Sequence, residues 1–492
     1  MKPCDSQADR RQRPILWLTF GVGIAWTILL FLAFLPVPFL SDSWIHLERA
    51  GGFPGAGSAF DLHQAIYRPF EILWYYVLHV AGWESAVIGR IPGFLEHAAV
   101  IFLVYGISRR MGMGTGAAAI AALLFALAPN TKSIGSVTVQ NTPARGMFVL
   151  AGLSLFAMRK RHPVLGTVGP ALCLVQGLLF HPSSLELVPL CAVWILLIEG
   201  PDEPGWDVRK RLRACRSDLL SPALLGLVAL GVGYCLFVIL MLPNRVEGAN
   251  GLNALPSNLV RSTTFWLPED LRWCAVEGLR GQLGVAAGLG GGLFVVLLWC
   301  TAGWFLLRGS ARVKFLLVAI VLDLAPPVIA TGFSMRYGYL TYGWIAMGLA
   351  LWLSTGRRLA IVAVILMGLS WSFDTVGDVL EQREAGRIVD NILADCRKAR
   401  RDVGRGHTIA IVDTPALWGR EKDITVLNLG LLIALDRSGV EGPFVAWRTK
   451  RARTSSDQEL VDSEFIEESL QRRSVHIYRF DPRTLHLEPA RR

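Results

Sequence analysis

Apolar residues arrive in long blocks, and polar residues are confined to the gaps. The first block is 14–40. Others lie near 88–108, 113–129, 137–158, 163–181, 184–199, 219–243, 283–307, 315–333, 339–355 and 358–376. A bilayer core of about 30 Å needs roughly 20 apolar residues in helical form. The pattern therefore predicts about eleven membrane-spanning helices. The first block carries no small-residue cleavage site and many blocks follow it, which favours a retained helix over a removed signal. The runs near 113–129 and 184–199 are the weakest of the set.

Basic residues punctuate alternate gaps. Arg10, Arg11 and Arg13 precede the first block; Arg109 and Arg110 follow the second. Further clusters are Arg159 to Arg161, Arg209 to Arg216, Arg308 to Lys314, and Arg357 with Arg358. With this helix count all of them fall on one side, and the positive-inside rule makes that side cytoplasmic. The N-terminus is then inside and the C-terminus outside.

Three stretches fall outside the membrane: 41–87, 244–282 and the tail 377–492. Within the first, 61–83 alternates apolar with polar residues and ends in Trp74, Tyr75, Tyr76 and Trp83, which suits a helix lying at the interface. The tail changes character. Residues 379–401 read as a charged helix, 407–413 as a buried strand, 425–435 as a helix, and 444–447 and 475–480 as strands. The expected architecture is an all-α polytopic bundle over 1–376 with a small C-terminal α/β domain over 377–492, large enough for a modest core.

Composition agrees. Hydrophobic residues make up 52% and charged residues 18%, against roughly 25% charged in soluble domains. A disordered chain and an ordinary cytosolic enzyme are excluded. The net charge of +10 tempts one toward nucleic acid. The Arg and Lys sit between apolar runs, however, so the bilayer is the expected partner and nucleic acid is not. Eight Cys show no CxxC or other zinc spacing, so no metal site is expected from them. Cys274 and Cys396 fall together on the outer side, but a free buried thiol is the commoner state.

Several polar residues sit where chemistry is wanted. Asp42 follows the first helix directly, at the outer surface, and Asp61 is the next acid in that loop. Both also suit helix caps or loop starts. Arg68, before Pro69, offers a planar fork that fits phosphate or snorkels to headgroups. Glu96 and His97 enter the second span, Arg145 the fourth, and Asp323 the ninth. Ionisable groups inside a span are costly and face a cavity or a partner; the alternative for Glu96 and His97 is that they satisfy each other. His181 ends the fifth span. Arg336, Tyr337 and Tyr339 form a short outer loop fit to clamp a lipid phosphate or to serve as an aromatic belt.

In this order the elements resemble the GT-C superfamily of integral-membrane glycosyltransferases, most closely its protein O-mannosyltransferase-like branch. The matching series is Asp42 after the first helix, Arg68-Pro69, His97, the Phe-Ala-x-x-Pro ending at Pro129, Arg145, and Arg336-Tyr337-Gly338-Tyr339, over about residues 14–380. There are departures. Serines flank Asp42 where that branch often pairs two acids, and His181-Pro182 stands where it often has Lys-Glu. The resemblance implies sugar transfer from a polyprenyl-phosphate donor to a lipid, glycan or protein acceptor. Asp42 would be the general base or acceptor-orienting acid, and Arg336, Arg68 or Arg145 would bind the donor phosphate. Divalent metals occur in the superfamily; a single acid argues weakly for one here. No cofactor is firmly implied.

Other classes stay open at this point: a surface-polysaccharide polymerase or ligase, a lipid-linked-sugar transporter, or a non-catalytic membrane scaffold. Arg greatly outnumbers Lys, which suggests a bacterial inner membrane.

Overall fold

The computed structural model describes residues 6–40, 42–60, 68–135, 141–201, 208–241, 262–267, 285–330, 338–404, 406–415, 417–418, 424–426, 431–448, 459–461, 465–466, 468–469 and 475–490. Asp61, Arg336, Tyr337, Cys274 and most of the 244–282 loop lie outside them.

Helices coincide with the apolar blocks. They are α1 (Ser6–Phe34), α4 (Ala86–Arg110), α5 (Thr115–Leu127), α6 (Asn141–Phe156) and α7 (Pro163–Phe180). A composite run, Pro182–Glu199, has α8 (Leu187–Trp194) at its centre. Then come α9 (Pro222–Met241), α10 (Val285–Arg308), α11 (Ala311–Ala330), α12 (Tyr339–Leu353) and α13 (Arg358–Val403). Among the described residues six helices are long and apolar enough to cross a membrane: α1, α4, α7, the Pro182–Glu199 run, α9 and α13. Helices α5 and α12 are apolar but shorter. The outward faces of the long helices carry Trp17, Ile28, Phe102, Leu172, Ile239 and Leu366 in exposed positions. An apolar surface on that scale suits lipid, not water.

The stretch after α1 folds as α2 (Asp42–Gly51), a short 3-10 turn at Ala56–Phe60, and α3 (Pro69–Val80). Within the expected helix over 61–83, residues 61–67 lie outside the described residues and α3 begins at Pro69. Proline fits there because the first helical position needs no amide donor.

The tail differs from expectation in two respects. The last span and the charged helix after it are a single α13 of 46 residues. No Pro or Gly cap interrupts the junction, and Asp374, Asp378 and Glu381 continue the helix out of the apolar stretch. Its far half packs on a five-stranded sheet. The strands are β1 (Thr408–Val412), β2 (Phe444–Arg448), β3 (Glu459–Leu460), β4 (Val475–Asp481) and β5 (His486–Pro489), in spatial order β3-β2-β1-β4-β5. All pairings are parallel except β4 with β5. Strand β1 is central, so both its faces are covered and Ile409 to Val412 are all buried. Ile409 and Ile411 pack toward α13 and α14 (Leu431–Arg437); Ala410 and Val412 pack toward Trp447, Ile466 and Ile477. The predicted helix at 425–435 is thus later and shorter, because Ile424 and Thr425 pair with Leu417 and Trp418 in a short antiparallel bridge. Cys396 is a buried free thiol in this core.

The two ends of the bundle are tied by different contacts. At one end Arg110 approaches the Met158 sulfur at 3.0 Å, and Lys160 pairs with Asp218 at 2.8 Å and Glu199 at 3.1 Å. The Arg312 guanidinium lies over Gly112 at the same end. At the other end Arg90 is buried and donates to the carbonyls of Val37, Pro38 and Gly135, tying the end of α1 to α4. The C-terminal domain docks at this second end.

Candidate functional site

Helix α6 organises the polar interior. Asn141 and Arg145 stand one turn apart near its start, so both face the same way. Asn141 donates to Glu71 Oε2 at 3.0 Å, joining α6 to α3. Arg68 reaches the same oxygen at 3.5 Å.

Arg145 is fully enclosed between two carboxylates. Its Nε donates to Glu186 Oε1 at 3.1 Å, while Glu186 Oε2 lies 2.6 Å from Nη2 without hydrogen-bond alignment. Its Nη2 also donates to Asp323 Oδ1, and Thr341 donates to Asp323 Oδ2. One guanidinium thus draws together α6, the Pro182–Glu199 run, α11 and α12. The cluster carries two acids against one base. Such a cluster holds its helices together, because charges removed from water are costly unless paired.

Tyr339 lies two residues before Thr341 and bonds His97 Nδ1 at 2.8 Å. Its ring packs edge-on to Phe125, and Gly146 leaves room for it. Glu96 turns the other way. It lines a cavity of about 320 Å³ between α3, α4, α6 and α7, with Glu71, Asn141, Phe70, Trp74 and Phe180 also in the wall. Glu96 and His97 therefore do not satisfy each other. Successive helical residues point about 100° apart, which parts this pair.

Of the residues singled out from the sequence, Arg68, Glu96, His97, Arg145, Asp323 and Tyr339 belong to this connected region. Asp42 is the first residue of α2. Its neighbour Ser43 is buried, 3.5 Å from the Tyr75 hydroxyl, so the start of α2 packs on α3. His181 accepts from the Ser183 amide at 3.2 Å and caps the 3-10 turn that carries Glu186. Arg145, read from the sequence as a donor-phosphate ligand, is already engaged by Glu186 and Asp323. Its geometry suits holding helices together rather than meeting an anion. Asp61, Arg336 and Tyr337 lie outside the described residues.

Four members were missed: Glu71, Asn141, Glu186 and Thr341. The acids were findable. Glu71 interrupts PFEILW and Glu186 interrupts SSLELVPL, each a carboxylate in an apolar run. Among the described residues no cluster of His, Cys, Asp and Glu is fit to hold a metal ion.

No family model matches the chain, and no curated protein matches it.

Proposed function

We propose that this protein is a polytopic membrane glycosyltransferase of the GT-C type. It would move a sugar from a polyprenyl-phosphate donor to an acceptor at the outer face of the membrane. The observation that carries the reading is spatial. Arg68 and Asn141 share Glu71 Oε2, Arg145 stands one turn along α6 from Asn141, and Tyr339, which bonds His97, lies two residues before the Thr341 that bonds Asp323, a partner of Arg145, although these residues are spread over some 270 residues of the resembling pattern. A series matched in sequence order alone need not converge in this way.

In this reading the chain spans the bilayer about eleven times, with the basic end cytoplasmic. The N-terminus is then inside and the C-terminal domain outside, in a bacterial inner membrane. Asp42 takes the acceptor proton as the new glycosidic bond forms. Arg68 and Arg336 offset charge on the departing polyprenyl phosphate. Arg145 holds the helices that shape the site. A transporter of lipid-linked sugars is the second reading, favoured by the buried Arg145–Glu186–Asp323 cluster, since charged groups inside a bundle also mark translocation paths.

The test is transfer from a panel of polyprenyl-phosphate sugars by purified protein, wild type against Asp42→Asn. A fall of about 10²-fold or more supports the general-base role. Flux of donor across proteoliposomes without transfer selects the transporter.

A further inference from the structure

Val37, Pro38, Phe39 and Leu40 lead from α1 toward α2, and the carbonyl of each accepts a hydrogen bond. Arg90 donates to Val37 at 2.6 Å and to Pro38 at 2.9 Å. The Trp44 indole N–H donates to Phe39 at 3.2 Å, and the Ser43 amide donates to Leu40 at 3.1 Å. The backbone is thus pinned up to the start of α2, whose first residue is Asp42.

The side chains of the same stretch reach three separate cores. Val37 belongs to the core of the helix bundle, and Phe39 to the core between α2 and α3. Leu40 packs against the bundle core and against the core of the C-terminal domain. Trp44 packs against the C-terminal core and the α2–α3 core, with its ring edge-on to Phe39 at 5.7 Å. Asp42 stands midway between Leu40 and Trp44 in the chain, and both of these lean on the C-terminal domain. Two further contacts come from that domain. Arg437 of α14 reaches Glu48 and the Leu47 carbonyl in α2. Gly386 of α13 lies so near Pro38 that a methyl group there would be 2.8 Å from Pro38 Cδ. A contact that close transmits displacement, because packed interiors compress little.

We infer that the C-terminal domain positions Asp42, with Arg437, Trp44 and Gly386 as the positioning residues. The inference rests on Asp42 being the general base of the proposed transfer, and it makes the domain part of the reacting site's support. A general base must stand within hydrogen-bond reach of the proton that it takes. A misplacement of about 1 Å caused away from the chemistry can cost about 10²-fold, so a site of this kind is held by packing and hydrogen bonds from behind.

The experiment disturbs α2 from the C-terminal domain alone. Full-length Arg437→Ala and Gly386→Ala are compared with wild type in sugar transfer from polyprenyl-phosphate donors. Each is expected to lower kcat about tenfold or more, with the donor KM within about threefold of wild type. Gly377→Ala is the control on the same helix, because a methyl group there meets nothing within 4 Å; its kcat should match wild type. Should Gly386→Ala fail to fold, Arg437→Ala decides alone. An unchanged kcat in the test variants overturns the inference and leaves the sugar-transfer reading standing. A wild type that turns over no donor overturns that reading instead, and α2 is then followed directly. A nitroxide on Asp42→Cys, with the native cysteines replaced by serine, should gain motion in Arg437→Ala and Gly386→Ala but not in Gly377→Ala. An unchanged line shape in the first two overturns the inference.

Discussion

Arg437 holds Glu84 through one guanidinium nitrogen, with Nη1 donating at 3.0 and 2.9 Å to the two carboxylate oxygens. The residues lie 353 apart in sequence. The other two nitrogens are also used: Nε donates to Glu48 at 3.1 Å and Nη2 to the Leu47 carbonyl at 2.9 Å. A single side chain of α14 therefore fastens the C-terminal domain to α2 and to the turn after α3. Arg437→Ala should release that contact at a cost of roughly 1.5–3 kcal/mol. Hydrogen exchange at 42–51 and 431–437 should speed by about tenfold or more, while the core of α4 stays protected. Unchanged exchange in both segments would contradict the clamp.

The same contact should respond to acid. Burial would push the Glu84 carboxyl up, but the hydrogen bonds from His79 and Arg437, with the Arg437 charge, outweigh it and hold the group below the ordinary carboxylate range. A lowered carboxyl contributes stability that is complete above the unfolded value of about 4.3 and lost as pH falls through the folded one. Docking should be whole at pH 7 and loosen below about pH 4. Energy transfer between labels on α2 and α14 follows it, and Glu84→Gln should flatten the step. A midpoint near pH 6 would assign the transition to a histidine instead.

Removing Arg145 should be far worse than removing one of its partners. Arg145→Met strands Glu186 and Asp323 as buried charges, at about 3–5 kcal/mol. Asp323→Asn keeps a group able to meet Arg145 and Thr341 and removes the excess negative charge, so its cost should stay under roughly 2 kcal/mol. Denaturation midpoints in detergent compare the two. Equal losses would mean that the cluster is not held by charge.

Gly146 admits the Tyr339 ring. A methyl group there would lie 2.9 Å from the Tyr339 Cε1 atom. Gly146→Ala should cost about 1–3 kcal/mol through overpacking and should disturb the hydrogen bond between Tyr339 and His97. Tyr339→Phe removes that bond directly. The His97 ring signal in a nitrogen NMR spectrum should therefore shift in both variants. A shift in Tyr339→Phe alone would show that the ring position tolerates the methyl group.

Most of the helices were legible in the sequence because a bilayer imposes one demand, a long apolar run. The strands at 408–412, 444–448 and 475–481 were legible too, since buried parallel strands read as short apolar stretches. The continuity of α13 was not. A change from apolar to charged composition marks where a helix leaves lipid, not where it ends. The polar interior was half legible. Single ionisable residues within apolar blocks, such as Arg145 and Asp323, stand out by their cost. Their partners do not, because Glu186 and Thr341 come from other helices and pairing across a bundle leaves no spacing signal. The 100° step of a helix already parts Glu96 from His97; which neighbour each meets emerges only once α3 and α12 are in place.

The 46 residues of α13 span about 69 Å at 1.5 Å per residue, and more than half of that length stands clear of the apolar stretch. A stiff rod anchored in lipid converts angle into displacement. Spanning helices tilt by tens of degrees with bilayer thickness, and a change of about 10° would sweep the far end of a 40 Å projection by roughly 7 Å. Arg437 opposes that sweep from the side, so the domain is braced at two points. Severing the brace turns the C-terminal domain into a pointer whose position reports the tilt of the helix that carries it.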